Sequence, residues 1–368
     1  MPPQSGSPGA PGRLLSIDAL RGFDMFWIIG GDALFQAIGR WLGWPVLVTQ
    51  MEHVTWEGFR FYDLIFPLFL FIVGVVLPFS LAKYAEGAGD RRAAYRRIGR
   101  RALLLVVLGF IYWGNLNKPW PEIRWMGVLQ RIGICYFVAA VAVTHLRVKG
   151  LAVLAAVLLV GYWVLMTQVA APGFPPGDLT MEGNLAGYVD RLLIPGKFCC
   201  YPFGDNEGLL STIPAIGTTL LGALTGFWLR SGRPGREIAA GLTVAGTAAV
   251  AVGLAWGHWF PIIKILWTSS YVLVAAGSSL GLLALFYYAI DVRGWRRGGF
   301  ALEVIGVNAI TIYLLHDLVA FGRIANFFVG NLARNAGGAG PAVVALAVLV
   351  IEWFLLWYLY LKGTRLRV

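Results

Sequence analysis

The sequence predicts an all-α polytopic membrane protein of about ten transmembrane helices, with both termini cytoplasmic. Three observations carry that prediction. Hydrophobic residues make up 58% of the chain and charged residues only 13%, against about 25% charged in soluble domains. The apolar residues gather into ten stretches, most of them close to the roughly 20 residues a helix needs to cross a hydrocarbon core of about 30 Å. Most of the 30 Lys and Arg residues fall in alternate loops, which marks the cytoplasmic face by the positive-inside rule.

Residues 1–13, "MPPQSGSPGAPGR", are rich in Pro, Gly and Ser and read as a disordered tail; residues 14–368 read as one ten-helix domain. The spans fall at roughly 16–38, 62–82, 102–116, 125–145, 150–170, 210–230, 237–256, 267–290, 300–320 and 341–362. No small-residue cleavage site follows the first, so it is expected to stay as a span. The third, "ALLLVVLGFIYWGNL", is short. It is counted because the alternation of basic loops holds only with ten spans. The 2–3 loop is the most basic, with "RRAAYRRIGRR" at 91–101. The net charge of +11 is therefore a topology signal with some anionic-lipid contact, and it calls for no nucleic acid. Of three cysteines, Cys199 and Cys200 are adjacent. Neighbours rarely bond each other, so reduced thiols are expected. No His, Cys and carboxylate cluster has metal-ligand spacing.

The polar residues concentrate where the helices end. His53 sits in the 1–2 loop between Glu52 and Glu57, beside Trp56. The 5–6 loop holds Asp205, Asn206 and Glu207 just before a helix start, with Ser211 one turn in; capping of that helix is their plainest role. The 7–8 loop, "WGHWFPIIKILWTSSY", carries His258, Lys264, Trp267 and Ser270, and the ninth span places Asn308 and His316 on either side of "AITIYLL". His145 closes the fourth span. Asp18, Arg21, Asp24 and Asp32 lie in the first span, Asp63 opens the second, and Gln130 and Arg131 lie in the fourth. Charges at such depth cost several kcal/mol, so they pair or line an aqueous path. A brace between spans 1 and 4 and a polar channel are both open readings. The arginine run, with Arg97, Arg100 and Arg101, suits phosphate.

The order "SIDALRGFDMFW", "HVTWEGF…DLIFPLFLFIVG", "GVLQRIGICYF", "GDNEGLLSTIPAI", "KILWTSSYVL" and "NAITIYLLHDL" resembles the heparan-α-glucosaminide N-acetyltransferase family over about residues 13–362. The resemblance implies transfer of acetyl from cytosolic acetyl-CoA to the amine of a terminal glucosamine across the membrane. It places the catalytic histidine at His53, in "H-x-x-W-x-G". Where the family has an amide late in the first shared helix, this chain has Asp32. It also implies a homodimer. Lacking the extra domain of lysosomal members, the chain reads as a bacterial-type member of the inner membrane, whose acceptors are cell-envelope sugars.

The residues admit a mechanism. A neutral imidazole, with an ordinary pKa near 6.5, takes a proton from the amine. Asp32 or Glu57 orients the ring. Asn308, Ser211 or Ser270 stabilises the oxyanion. An acetyl-histidine intermediate is the competing route. Trp56, Trp267 and Trp120 are candidate sugar platforms, with Glu57, Asp205, Glu207, Lys264, Asn308 and His316 around the acceptor. Arg21, Arg97, Arg100, Arg101, Gln130, Arg131, Ser211 and Ser270 are the candidates for coenzyme contact. Two other classes fit the composition: a transporter or flippase with Gly-rich, closely packed spans, and an O-acyltransferase acting on an envelope glycan. The transporter reading lacks the repeat of two related halves that many such proteins show.

Overall fold

The computed structural model describes residues 14–364; the expected disordered tail lies outside the described residues. The chain is helical almost throughout, as the apolar stretches require. In chain order the helices are α1 (Leu15–Phe26), α2 (Asp32–Trp41), α3 (Pro45–Gln50), α4 (Ile65–Ala85), α5 (Arg91–Tyr112), α6 (Val128–His145), α7 (Val148–Gln168), α8 (Leu185–Leu193), α9 (Leu209–Leu229), α10 (Gly235–Trp256), α11 (Ser269–Phe286), α12 (Arg296–Val307), α13 (Ala309–Leu318), α14 (Phe321–Asn335) and α15 (Gly340–Leu361). A two-residue antiparallel hairpin, β1 (Cys200–Tyr201) with β2 (Gly204–Asp205), lies between α8 and α9.

Among the described residues seven helices are long and apolar enough to cross a membrane, and α12 with α13, bent by 65°, make an eighth if the pair is one broken span. The runs α1–α2 and α5 occupy the two remaining expected places. Both are long, and both carry charges that an apolar span excludes. The boundaries differ most at α5. Its first three turns are the arginine run, which the sequence reading assigned to a loop. Arg and Ala are strong helix formers, and Asp90 caps the helix by accepting the Arg92 amide at 2.8 Å, so α5 starts eleven residues earlier than its apolar stretch. The amphipathic α14, in the connection before the last helix, was not anticipated.

Helix α4 is the central post, with 72% of its apolar window buried inside the protein, whereas α15 at the rim has 17%. Leu70, Leu77, Leu129, Ala139, Leu220 and Val272 join α4, α6, α9 and α11 in one core. Helices α4 and α9 meet backbone to backbone. A Cβ on Gly74 would lie 1.9 Å from the Thr219 carbonyl oxygen, and one on Gly222 would lie 2.1 Å from that of Phe71. Only glycine permits that approach.

This contact has a direct test. Gly74→Leu forces two backbones apart and lowers the unfolding midpoint in detergent, with an overpacking cost of at least about 1–3 kcal/mol. Gly161→Leu, where nothing lies within 4 Å, leaves the midpoint unchanged.

Candidate active site

The site begins with one carboxylate. Asp63, in the 3-10 turn that opens α4, is fully buried. Its oxygens accept the amides of Arg60 at 3.0 Å and Val54 at 3.4 Å, which folds the strap after α3 back over the helix start. One of them also holds His53 Nδ1 at 2.8 Å. Lys264 Nζ lies 3.3 Å from that oxygen, 2.8 Å from Nδ1 and 3.2 Å from Nε2. The strap and the Lys264 loop are stitched by Gly58 N donating to Ile262 O at 2.8 Å and by a Glu57–Ile263 bridge. Tyr62 stacks on the imidazole at 4.7 Å.

An acceptor on Nδ1 selects the Nδ1–H tautomer, so the lone pair is on Nε2, where Lys264 Nζ lies 3.2 Å away. Half of the side chain, 51%, is open, and it lines a cavity. Burial among the cavity walls lowers the His53 pKa below 6.5, Asp63 opposes this, and the Lys264 charge reinforces it. Lys264 is lowered in turn by burial and held up by Asp63.

The cavity beside His53 has a volume of about 590 Å³. Trp56, Tyr62, Tyr112, Arg124, Glu207 and Lys264 face it together with an apolar majority. Arg124 donates to Asp205 at 3.0 Å and to Glu207, and stacks over Trp113 at 4.2 Å. Two carboxylates share one guanidinium, and of the two Glu207 faces the cavity, together with Arg124 and Lys264. Burial raises the Glu207 carboxyl, and Arg124 opposes it. The expected capping role of Asp205 and Glu207 is filled by Asp190, which accepts the Leu209 amide at 2.9 Å and the Asp205 amide at 3.2 Å. Burial pushes Asp190 up to about 6. Cys199 and Cys200 also line the cavity, and here they form a vicinal disulfide rather than the expected free thiols. The hairpin turns Cys200 to φ 78°, which brings the neighbouring sulfurs together.

A second cavity of about 230 Å³ opens toward the arginine-bearing half of α5 and is lined by Arg21, Arg101, Tyr136 and Asn308. Asn308 occupies the break between α12 and α13 and is 2% exposed, and its amide nitrogen and oxygen have no partner among the described residues. The two cavities share Phe69, Leu129, Ile132 and Ile310. On α4 the lining runs Phe66, Phe69, Val73, Val76, and on α6 Val128, Ile132, Tyr136. Steps of three and four are one face of a helix, so both cavities lie along a single lined path with a neck in the middle.

The candidate residues thus divide. His53, Trp56, Glu207 and Lys264 meet in the larger cavity, with Asp205 behind Arg124; Arg21, Arg101 and Asn308 meet in the smaller. The ring-orienting carboxylate is Asp63, in place of Asp32 or Glu57. Asp32 hydrogen-bonds Tyr62 on its far side, and Glu57 is exposed. His316 pairs with Glu352 of α15 at 2.7 Å, and Trp267 is buried with its Nε1 donating to Thr218 at 3.1 Å. Arg97 and Arg100 are exposed on α5, and Trp120 is exposed. Gln130 and Arg131 are buried outside both cavities; Arg131 donates to Ser211 and Gly208, so no brace joins it to the first span, and Arg21 pairs with Asp18 at 3.3 Å. Ser270 donates to Phe260 O. The sequence reading missed Asp63 as a partner, and with it Tyr62, Arg124 and Glu352. The available signal for Asp63 was its place as the last carboxylate before an unbroken apolar run. Among the described residues no group of three or more His, Cys, Asp or Glu is placed to hold a metal.

The family model of an acyltransferase domain matches residues 14–361. Human heparan-alpha-glucosaminide N-acetyltransferase is 27% identical over 368 aligned residues, covering 84% of this chain and 53% of that protein. The mouse protein of the same name is 26% identical, covering 83% and 54%. The chain spans about half the length of these curated relatives.

His53 is expected to titrate below 6.5 by NMR of histidine-labelled protein. Lys264→Met removes a positive neighbour and raises that value; Asp63→Asn removes the acceptor and lowers it further. Shifts of the opposite sign would contradict the geometry described for the pair.

Proposed function

This chain belongs to the acyltransferase domain family, and on that premise we propose that it is a membrane N-acetyltransferase. In this reading acetyl-CoA is drawn from the cytosolic side and a glucosamine-type amine is acetylated on the other side. A bacterial inner membrane, cytoplasmic termini and a homodimer complete the proposal. The observation that carries it is the single lined path: a histidine–aspartate pair at one end, arginines at the other, and a neck between them.

The residues fit the coenzyme in kind. Arg21 and Arg101 offer charge to phosphate, with Arg97 and Arg100 exposed nearby on α5. A narrow cavity with one free amide suits a thin arm that carries a thioester. Glu207 receives the ammonium of the acceptor, which gives one proton to water as it enters the cavity, and Nε2 of His53 takes a second as the neutral amine attacks. The amine attacks the thioester carbon, and the carbonyl oxygen gains charge. Of the three candidate donors, Ser211 and Ser270 already serve protein oxygens and line neither cavity. Asn308 has an idle N–H at the neck, so we assign it to that oxygen. The imidazolium then returns its proton to the departing thiolate. Asp63 stabilises the imidazolium throughout.

Purified protein with labelled acetyl-CoA and glucosamine is expected to yield N-acetylated sugar. His53→Ala is expected to slow it about 10²–10⁴-fold; transfer that persists in this variant removes His53 from its role. The wild-type rate rises through an acid limb centred below 6.5 and levels off above it, because only neutral His53 is a base. Coenzyme release before sugar is added would identify the acetyl-histidine route.

Asn308→Ala is expected to lower kcat about 10²–10³-fold with little change in KM for the sugar. An unchanged kcat moves the oxyanion donor elsewhere.

A further inference from the structure

In the proposed reaction the acyl group is the leading tip of the donor. It travels from the smaller cavity and reaches His53 only by passing Phe69, Leu129, Ile132 and Ile310, the four residues that face both cavities. We infer that this neck sets the acyl specificity, by width: it passes straight acyl chains end-on and rejects chains branched beside the carbonyl. The inference rests on the acyltransferase reading of the site.

All four side chains are apolar, and the polar group beside them, the Asn308 amide, is assigned to the thioester oxygen, so shape decides which acyl chain passes. Leu129 and Ile132 are 3% exposed and packed into the main core. They cannot retract without opening a void or straining their neighbours. Phe69 and Ile310 are half-buried and line both cavities. Ile310 follows the 65° break at Asn308, so the free amide lies beside the residues that face both cavities. A thioester whose oxygen meets that amide has its α-carbon among these four side chains. A hydrogen there fits where a methyl does not. Discrimination of a single extra methyl group by an apolar pocket is roughly 10–200-fold.

Butyryl-CoA and isobutyryl-CoA have the same atoms and differ only in the branch, so they test width without changing size. With purified full-length protein and glucosamine, kcat/KM for butyryl is expected to exceed that for isobutyryl at least about tenfold. In Phe69→Ala the ratio is expected to fall to within about threefold, and in Ile310→Ala to fall by a lesser amount; monodisperse elution in detergent selects the folded variants. Equal use of the two donors by the wild type overturns the inference. So does a ratio unchanged in either folded variant. Rejection of both C4 donors alike overturns it too, since a filter on width passes butyryl. The outcome that sinks the underlying reading is different: no transfer of acetyl itself to any amine.

Discussion

A single buried carboxylate organises the site. Asp63 sits in the turn that starts the central helix, with no exposed surface. An ionised group there must be compensated from every side, because an unpaired charge in a low-dielectric interior costs several kcal/mol. The compensation is what builds the site: two strap amides, an imidazole, an ammonium group from a loop two hundred residues away, and the start of a helix dipole. The backbone oxygen of the same residue accepts the buried Tyr271 hydroxyl at 2.8 Å, tying α11 to the arrangement. Strap, loop and histidine are thus held because one charge needs partners.

Much of the fold was legible because bilayer physics writes it in runs. Nine of the ten expected stretches coincide with helices to within a few residues, the exception being α5. What composition could not show was how charge alters a helix's limits. At α5 the apolar stretch and the helix are different objects, since arginines favour helix as much as they favour water. Segments without a membrane signal are harder to read: α14 has an amphipathic period but too few apolar residues for a span, and the β1–β2 hairpin is too short to show any period.

The site was legible as a cast but not as pairings. His53, Glu207, Lys264 and Asn308 could be picked out by type and by nearness to helix ends. Which carboxylate holds the histidine depends on how the strap folds back, and Asp63 lies ten residues beyond His53 across a tight turn. Asp32 carries the same chemistry on a helix whose neighbour intervenes, with Tyr62 between it and the imidazole. The Arg124 cluster joins loops more than eighty residues apart. No local pattern encodes such contacts. The serines of α9 and α11 were credible donors until their hydroxyls were seen to be committed to backbone oxygens.

The position of both key features on one helical run, Phe61–Ala85, has a mechanical meaning. Asp63 and Phe69 are six residues apart, roughly 9 Å along the axis at about 1.5 Å per residue. The depth between anchor and constriction stays constant, because it is gauged along a single rod clamped at Gly74 against α9. The molecule carries its own depth gauge, and a donor arm of fixed length needs just such a calibration.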